Sequence, residues 1–356
     1  MIAGPLGLPW WSWAAPLTAL GIAGLKLAHV AMPVWLLAPV LIAAVLSAVH
    51  HAEVIAHRIG EPFGTLVLAL AVTTIEVALI VALMFEGGAD SAALARDTVF
   101  AAVMIILNGI VGLCLLVGGS RYGAQRFNLS GANAALTVLA ALTVLSMILP
   151  NYTQATPGPT YAPQQLAFVA VVSLILYLSF VFVQTVRHRD YFLGPNVGVP
   201  HEPPATRTAI ASLLLLMAAL IGVVMIGKAL APAIEAGVRA LGAPHTLVGV
   251  IIASIVLMPE GLAAVRAARA DRLQDSLNLG LGSALASIGL TIPAVAMVAL
   301  WMGTPLTLGI DAEATVLLVL SLFLSVLSLS TGRTTILNGL VHLVIFATYL
   351  FLVIMP

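Results

Sequence analysis

EPFGTLVLALAVTTIEVALIV (residues 61–81) and APHTLVGVIIASIVLMPEGLAAV (residues 243–265) decide the fold of this chain. Each segment holds fourteen positions without an acid, 62–75 and 246–259, that lead to a single glutamate, Glu76 or Glu260. A hydrocarbon core ~30 Å thick needs about 20 apolar residues per helix. Both segments are therefore predicted to be membrane-spanning helices, and their likeness indicates an internal repeat.

The composition of the whole chain extends this interpretation. Its 356 residues are 61% hydrophobic and 8% charged, whereas a soluble globular domain holds about 25% charged residues. The chain is predicted to be an all-α polytopic membrane protein with eleven transmembrane helices. The predicted spans are residues 10–28, 33–56, 62–85, 98–119, 131–150, 164–186, 208–231, 244–265, 277–302, 313–330 and 334–355.

Charge and cysteine content exclude several classes of partner and site. The formal net charge is zero, from 14 basic and 14 acidic residues, so there is no basic surface for nucleic acid. The one cysteine, Cys114, allows neither an intrachain disulfide nor a cysteine metal cluster. We expect a protein surrounded by membrane lipid, with no nucleic-acid partner and no bound cofactor. A homo-oligomer is left open.

Basic residues set the predicted orientation. Cytoplasmic loops carry an excess of Lys and Arg, and ten of the fourteen basic residues follow the even-numbered spans. These ten are Arg58, Arg121, Arg126, Arg187, Arg189, Arg207, Arg266, Arg269, Arg272 and Arg333. The N-terminus is therefore predicted to be cytoplasmic and the C-terminus external, in the cell (inner) membrane. The uncharged, proline-rich loop 151–165 suits the external side.

The orientation makes the internal repeat an inverted one. The span of Glu76 begins inside and that of Glu260 begins outside, so the two segments run antiparallel, as in many transporters. The predicted division is an extra N-terminal helix in 1–31 and a first five-helix repeat in 32–187. A cytoplasmic connector in 188–206 and a second five-helix repeat in 207–356 follow.

The two glutamates are the strongest candidates for chemistry. A carboxylate inside a bilayer costs at least ~2.5 kcal/mol, so such a residue is by default expected to face a cavity, a partner or an ion. We predict that Glu76 and Glu260 bind a transported cation and protons. The alternative is a helix-to-helix hydrogen bond made by a protonated glutamate.

Oxygen atoms suited to a hard cation surround both acids in sequence. Thr73 lies about one helical turn before Glu76, and Thr74 is adjacent. Pro259 removes a backbone donor before Glu260 and can leave a carbonyl of the preceding turn for an ion. Calcium takes 6–8 oxygen ligands, and the following helices offer Asn108, Ser283 and Ser287. Each polar residue alone is equally well explained by an interhelical hydrogen bond or by small-residue packing.

Histidines form a second cluster, HHAEVIAHRIGE at 50–61. His50, His51 and His57 are candidates for pH gating, because a neutral histidine titrates near physiological pH. A zinc site and a solvated cytoplasmic helix end are the alternatives, and the cluster contains no HExxH. His245 and His342 are interpreted as packing or interface residues.

Four strings give the chain a family resemblance. HHAEVIAHRIGEPFGTLVLALAVTTIEVALI (50–80), MPEGLAAV (258–265), NLGLGSALASIGLTIP (278–293) and LSTGRTTILNG (329–339) resemble the bacterial ChaA-type sodium/calcium-proton antiporters. These belong to the calcium/proton exchangers of the cation/calcium exchanger superfamily. The resemblance implies two inverted five-helix repeats plus an additional first helix. It also implies that Glu76 and Glu260 are the central carboxylates and that Asn108, Ser283 and Ser287 line the ion pathway.

Exchange follows if the same two carboxylates bind either protons or a cation but cannot stay ionised and empty in a low-dielectric site. The charge of one calcium ion balances two ionised glutamates. One Na⁺ or K⁺ together with one retained proton balances the same charge. The predicted function is thus Ca²⁺/H⁺ antiport with Na⁺ or K⁺ as further substrates, and the alternative is a monovalent cation/proton antiporter with little calcium transport. An intramembrane enzyme and a channel are more remote alternatives. No nucleophile–base pair accompanies the acids, and no GxxxxGK[ST] sequence occurs.

Overall fold

The computed structural model describes residues 5–28, 30, 32–60, 63–86, 91–193 and 203–355. It is all-helical apart from one pair of two-residue strands, as predicted. The helices are α1 (Trp10–Leu27), α2 (Val34–Ile59), α3 (Phe63–Glu86), α4 (Ser91–Met104), α5 (Val111–Tyr122), α6 (Leu129–Thr143), α7 (Pro163–Phe182), α8 (Thr206–Ala240), α9 (Thr246–Arg269), α10 (Leu273–Met302), α11 (Ala312–Leu329) and α12 (Ile336–Ile354). The strands β1 (Gln125–Arg126) and β2 (Arg333–Thr334) pair antiparallel.

Three π-helical segments extend or join these helices. The segment π1 (Ile105–Ile110) joins α4 to α5 in one continuous rod, π2 (Val144–Ile148) extends α6, and π3 (Val183–Arg187) extends α7. Short 3₁₀ turns follow at Leu149–Tyr152 and Arg189–Tyr191, and another lies at Pro5–Gly7. π-helical turns are rare and frequently lie at functional sites.

Ten helices in the described part of the chain are long and apolar enough to cross a membrane. They agree with ten of the eleven predicted spans, with α4, π1 and α5 forming one span over Ala92–Tyr122. The remaining predicted span, 10–28, forms the helix α1 but is not among the ten. Its crossing of the membrane therefore stays a prediction.

Local sequence explains where several helices begin and end. The side chain of Asn128 caps α6 by accepting from the Ser130 amide at 3.0 Å, and Asp311 caps α11 by accepting from the Ala314 amide at 2.7 Å. Gly303 ends α10 in the left-handed conformation at φ 66°, which glycine adopts without steric cost. Pro259 lies inside α9, which continues through it without a break.

The chain divides into two compact units, each of which draws on both predicted repeats. The first unit covers 1–87 and 199–242 and contains α1, α2, α3 and α8. Its main packing is α8 against α2 and α1. Glycine permits a close approach here, because a Cβ on Gly222 would lie 2.5 Å from the Ala19 Cβ.

The second unit covers 88–198 and 243–356 and contains α4–α7 and α9–α12. In it α10 packs against α7, α9 and α6, while α5 packs against α12. The pairs α10–α7 and α5–α12 are equivalent under the predicted repeat, in which α5 matches α10 and α7 matches α12. The inverted repeat itself stays a prediction.

Candidate ion-binding site

Glu76 lies in the first unit, near the middle of α3. Its residue is 3% exposed, and its neighbours Ile75 and Ile80 are 1% and 0% exposed. The helix is apolar almost throughout, so the carboxylate lies on a largely apolar buried surface. Thr73, three residues earlier, is also buried at 4% exposure. The structure thus buries the predicted acid together with the hydroxyl residue one turn before it.

Thr74 differs from Thr73. It is exposed, and its hydroxyl donates to the carbonyl of Leu70 in the preceding turn at 2.6 Å. Such a bond within one helix is a common alternative for a threonine hydroxyl. Thr73 is therefore buried like Glu76, whereas Thr74 is not.

Glu260 lies in the second unit, in α9 directly after Pro259. It is 6% exposed, and the Ser283 hydroxyl of α10 donates to its Oε1 at 3.2 Å. Ser287 follows one turn along α10 and is 3% exposed. Two of the three predicted oxygen residues from following helices therefore lie on the helix that contacts this acid, and one bonds it directly.

Asn108, the third of those residues, lies in π1 and is fully buried. Its amide nitrogen donates to Ser321 Oγ of α11 at 2.8 Å, and its Oδ1 lies 3.2 Å from Nδ1 of His342 on α12. The same π segment packs on α9 beside the acid, since a Cβ on Gly261 would lie 3.2 Å from Ile110 Cδ1. The sequence predicts only a packing or interface role for His342, and its polar contact with Asn108 is one that sequence reasoning missed.

The histidine cluster joins α1 to α2 in the first unit. His51 is fully buried, and its Nε2 lies 2.8 Å from the backbone oxygen of Ser12, to which Ser47 also donates at 3.0 Å. The ring of His50 lies 5.2 Å from that of Trp11. His57 is exposed, so the three candidate gating residues do not form one group.

The zinc alternative finds no support at this cluster. Among the described residues, no three His, Cys, Asp or Glu side chains converge to hold a metal ion. Glu61, the last acid of the motif, lies outside the described residues, as do residues 194–202 of the predicted connector.

Sequence reasoning also missed an ion pair in the middle of α4. Arg96 Nε lies 2.7 Å from Oδ1 of Asp97, and Arg96 donates to the carbonyl of Gly309 at 3.2 Å. Asp97 is 8% exposed and lies within electrostatic range of His245 and Asp311. The adjacency of Arg96 and Asp97 was the only signal in the sequence, because the other partners are far away along the chain.

Comparison with known proteins assigns the chain to a family. The family described as sodium/calcium exchanger protein matches residues 31–186 and 211–355. The chain belongs to this family.

Curated relatives agree with the family assignment. A candidate ionic transporter of Sinorhizobium fredii, y4hA, is 47% identical to this chain, and the match covers 98% of this chain and 97% of the relative's length. The sodium-potassium/proton antiporter ChaA of Escherichia coli is 36% identical to this chain, and the match covers 87% of this chain and 85% of the relative's length. The predicted resemblance to ChaA-type antiporters is confirmed.

A solved structure shares the fold of this family member. An H⁺/Ca²⁺ exchanger, CAX, matches with a TM-score of 0.72 at 16% identity, over 96% of this chain and 88% of the other. The prediction of an all-helical exchanger fold is confirmed. Because the family and the matched proteins are transporters, the prediction of a transporter rather than an enzyme is confirmed as well.

Proposed function

We propose that this protein is a secondary active cation/proton antiporter in which Glu76 and Glu260 bind a cation or protons alternately. One observation supports this most strongly. Each acid is almost fully buried, at 3% and 6% exposure, within a helix long and apolar enough to cross a membrane. Acids in such positions are costly unless they bind an ion, a proton or a polar partner.

Coupling follows from the cost of the empty, ionised state. A buried charge without compensation is strongly unfavourable, so a carboxylate that releases its cation must bind a proton. The Ser283 hydroxyl at Glu260 stabilises the ionised form through a charge-assisted hydrogen bond. Protons and cation therefore exclude each other at the same oxygens, and the gradient of one drives the other without ATP.

The proposed cation is Ca²⁺, with Na⁺ or K⁺ as further substrates. Two ionised glutamates balance one divalent ion, and Thr73, Asn108, Ser283 and Ser287 offer additional oxygens of the kind that calcium binds. Relatives from Synechocystis and Bacillus subtilis, 26% and 22% identical, are named Ca²⁺/H⁺ antiporters. Their names support calcium as the exported ion.

One observation favours a second candidate, a monovalent Na⁺(K⁺)/H⁺ antiporter with little calcium transport. The relative at 36% identity is named a sodium-potassium/proton antiporter, whereas those named for calcium are 22–26% identical. One monovalent ion with one retained proton also balances two carboxylates. Both candidates use the same two glutamates, and they differ in which cation displaces the protons.

The chain is a multi-pass membrane protein. We further place it in the inner membrane, with the N-terminus cytoplasmic and the C-terminus external, from the distribution of basic residues. Because exchange through such a site is reversible, a proton gradient directed into the cell drives cation export.

Reconstitution tests the proposed function. Purified protein in liposomes with an imposed pH gradient should release protons when Ca²⁺, Na⁺ or K⁺ is added, and each cation is assayed alone. A response to Ca²⁺ supports the first candidate, and a response to Na⁺ and K⁺ alone supports the second. If none of the three cations causes proton movement although the protein is correctly inserted, both candidates are contradicted.

A further inference from the structure

Two arginines lie side by side on the two-stranded ladder of the second unit. In the register of β1 and β2, Arg126 lies opposite Arg333 and Gln125 lies opposite Thr334. Directly opposite residues of an antiparallel pair point to the same face, with Cα atoms about 4.5–5.5 Å apart. Exposure follows this alternation, because Gln125 and Thr334 are 3% and 2% exposed whereas both arginines are exposed. The ladder therefore presents two guanidinium groups on one outward face.

Hydrogen bonds fix the ladder to the rest of the second unit. The amide of Phe127 continues the pairing by donating to the carbonyl of Gly332 at 3.1 Å. On the buried face, the side chain of Gln125 donates to the Ala268 carbonyl at 3.3 Å and to Oδ1 of Asp271 at 2.8 Å. The two strands are thereby tied to each other and to the end of α9. The arginines cannot move apart unless this arrangement breaks.

The chain provides no acid to balance the two arginines. Like charges at directly opposite positions destabilise a strand pair. No Asp or Glu occurs in residues 98–189 or 314–356, which contain both strands. Asp271 contacts the ladder through Gln125, whose side chain points to the opposite face from Arg126. Among the described residues, neither Arg126 nor Arg333 has a side-chain ion pair or hydrogen bond.

Helix lengths place the arginine pair at the membrane boundary. The 18 residues of α11 and the 19 of α12 span about 27 and 29 Å at 1.5 Å per residue. These lengths match a hydrocarbon core of ~30 Å. The turn between the two helices, residues 330–335, contains β2. Helices that only just cross the core leave this turn at the level of the lipid headgroups, and the strand register puts Arg126 at the same level as Arg333.

An apolar strip leads from this turn into the membrane. On α12, Leu337, Leu340 and Val344 are 66%, 45% and 62% exposed, and their spacing puts them on one face of the helix. On α11, which contacts α12, Phe323 and Leu327 are 59% and 51% exposed. Such faces are covered by lipid chains in a bilayer. Positive charge at headgroup level beside an exposed apolar strip matches a ligand with an anionic headgroup and hydrocarbon chains.

We propose that Arg126 and Arg333 bind the phosphate of an anionic phospholipid whose acyl chains lie along α12. A guanidinium group binds phosphate oxygens in a bidentate manner, and a phosphate between the two arginines removes their repulsion. Basic groups at a membrane surface attract anionic lipids. A zwitterionic lipid carries its own positive charge and compensates the pair less. The inference rests on the membrane location of the chain and not on the proposed exchange.

Titration with phosphatidylglycerol in an uncharged detergent tests the site, with bound lipid counted by native mass spectrometry. Arg126→Gln and Arg333→Gln should each raise the dissociation constant about fivefold, and the double variant about 30-fold, from the usual contribution of a basic residue at a membrane surface. The matched control is Arg187→Gln/Arg266→Gln, which removes the same charge from two exposed positions of the second unit. Its dissociation constant should stay within about twofold of wild type.

Thermal unfolding separates lipid binding from a structural role of the arginines. Without lipid, Arg126→Gln/Arg333→Gln should unfold at the same temperature as wild type or higher, because the repulsion is gone. Phosphatidylglycerol should raise the Tm of wild type and of the control, but much less that of the Arg126→Gln/Arg333→Gln variant. Phosphatidylcholine and inorganic phosphate should have little effect on either.

Four results would overturn the proposal. An equal rise in Tm with inorganic phosphate would assign the pair to a free anion, and an equal rise with phosphatidylcholine would remove the charge selectivity. Equal loss of binding in Arg187→Gln/Arg266→Gln would leave only general charge attraction. If the Arg126→Gln/Arg333→Gln variant does not fold, the single variants decide. Unchanged dissociation constants in both overturn the site, and raised constants with an unchanged control support it.

Discussion

The hydroxyl of Ser283 on α10 donates a hydrogen bond to Oε1 of Glu260 on α9 at 3.2 Å, inside the second compact unit. Glu260 is 6% exposed, so little water is available to replace this bond. The contact joins two residues that the sequence singled out independently, one as a buried acid and one as a neighbouring oxygen. A hydroxyl donor in this position favours the ionised form of a carboxylate over the protonated form.

Substitution Ser283→Ala should weaken cation binding. A hydrogen bond to a charged group contributes about 1.5–3 kcal/mol, so the apparent KM for the cation should rise about tenfold or more. The cation dependence of exchange in proteoliposomes measures it. Ser254→Ala is the control, since Ser254 is exposed on α9 and bonds its own helix at Val250. Equal KM values in both variants would show that the hydroxyl does not support binding.

Neutral substitution of either buried acid should abolish exchange. Glu76→Gln and Glu260→Gln retain shape but cannot cycle a proton, and each removes one of the two negative charges that are proposed to balance the cation. Exchange should fall at least about 100-fold, while size-exclusion chromatography reports a folded protein. Asp190→Asn, an exposed acid at the start of the connector, should transport normally. Near wild-type exchange in either glutamine variant would remove the paired-carboxylate mechanism.

The sequence predicts the helices well because apolar length in a membrane is a strong constraint. The span predicted at 277–302 is α10, Leu273–Met302. The span predicted at 208–231 continues to Ala240, because the helix passes through Pro232 and carries Glu235 and Arg239 beyond the apolar run. Helix ends of this kind are set by packing and solvation, which an apolar window does not detect.

The candidate site is predicted only in part from the sequence. Burial of Glu76 and Glu260 follows from their position in apolar runs, and the contact of Ser283 with Glu260 follows from neighbouring helices. The contact of Asn108 with His342 does not follow from the sequence. It depends on the π turn of Ile105–Ile110 and on glycines that let two helices far apart in the chain cross closely. No local pattern in a single sequence specifies such a pairing.

Orientation can be tested by labelling single cysteines in a Cys114→Ser background. The basic-residue distribution predicts that position 190 faces the cytoplasm and position 157 the exterior, and both residues are exposed in the structure. An impermeant thiol reagent added to intact cells should label Pro157→Cys and leave Asp190→Cys unmodified until the membrane is opened. The reverse pattern would invert the proposed topology.

Replacing the three candidate gating histidines should leave ion exchange itself intact. The triple variant His50→Gln/His51→Gln/His57→Gln alters the contact of His51 with the Ser12 carbonyl, which joins α1 to α2. Both contacting residues are distant from Glu76 and Glu260 in the sequence. At most, the pH at which activity begins should shift, while competition between proton and cation persists. Exchange rates measured across a pH series distinguish these effects. A pH dependence that disappears entirely in the triple variant would assign proton sensing to the histidines alone.

Competition between protons and cation at Glu76 and Glu260 is the central claim, and the pH dependence of the apparent KM tests it most directly. Initial rates of cation-dependent proton movement are measured in proteoliposomes while the pH on the cation side is varied at several cation concentrations. If protons and cation exclude each other, KM rises as that pH falls, and saturating cation largely restores the maximal rate. A KM that stays constant with pH, with acid lowering only the maximal rate, would contradict this account.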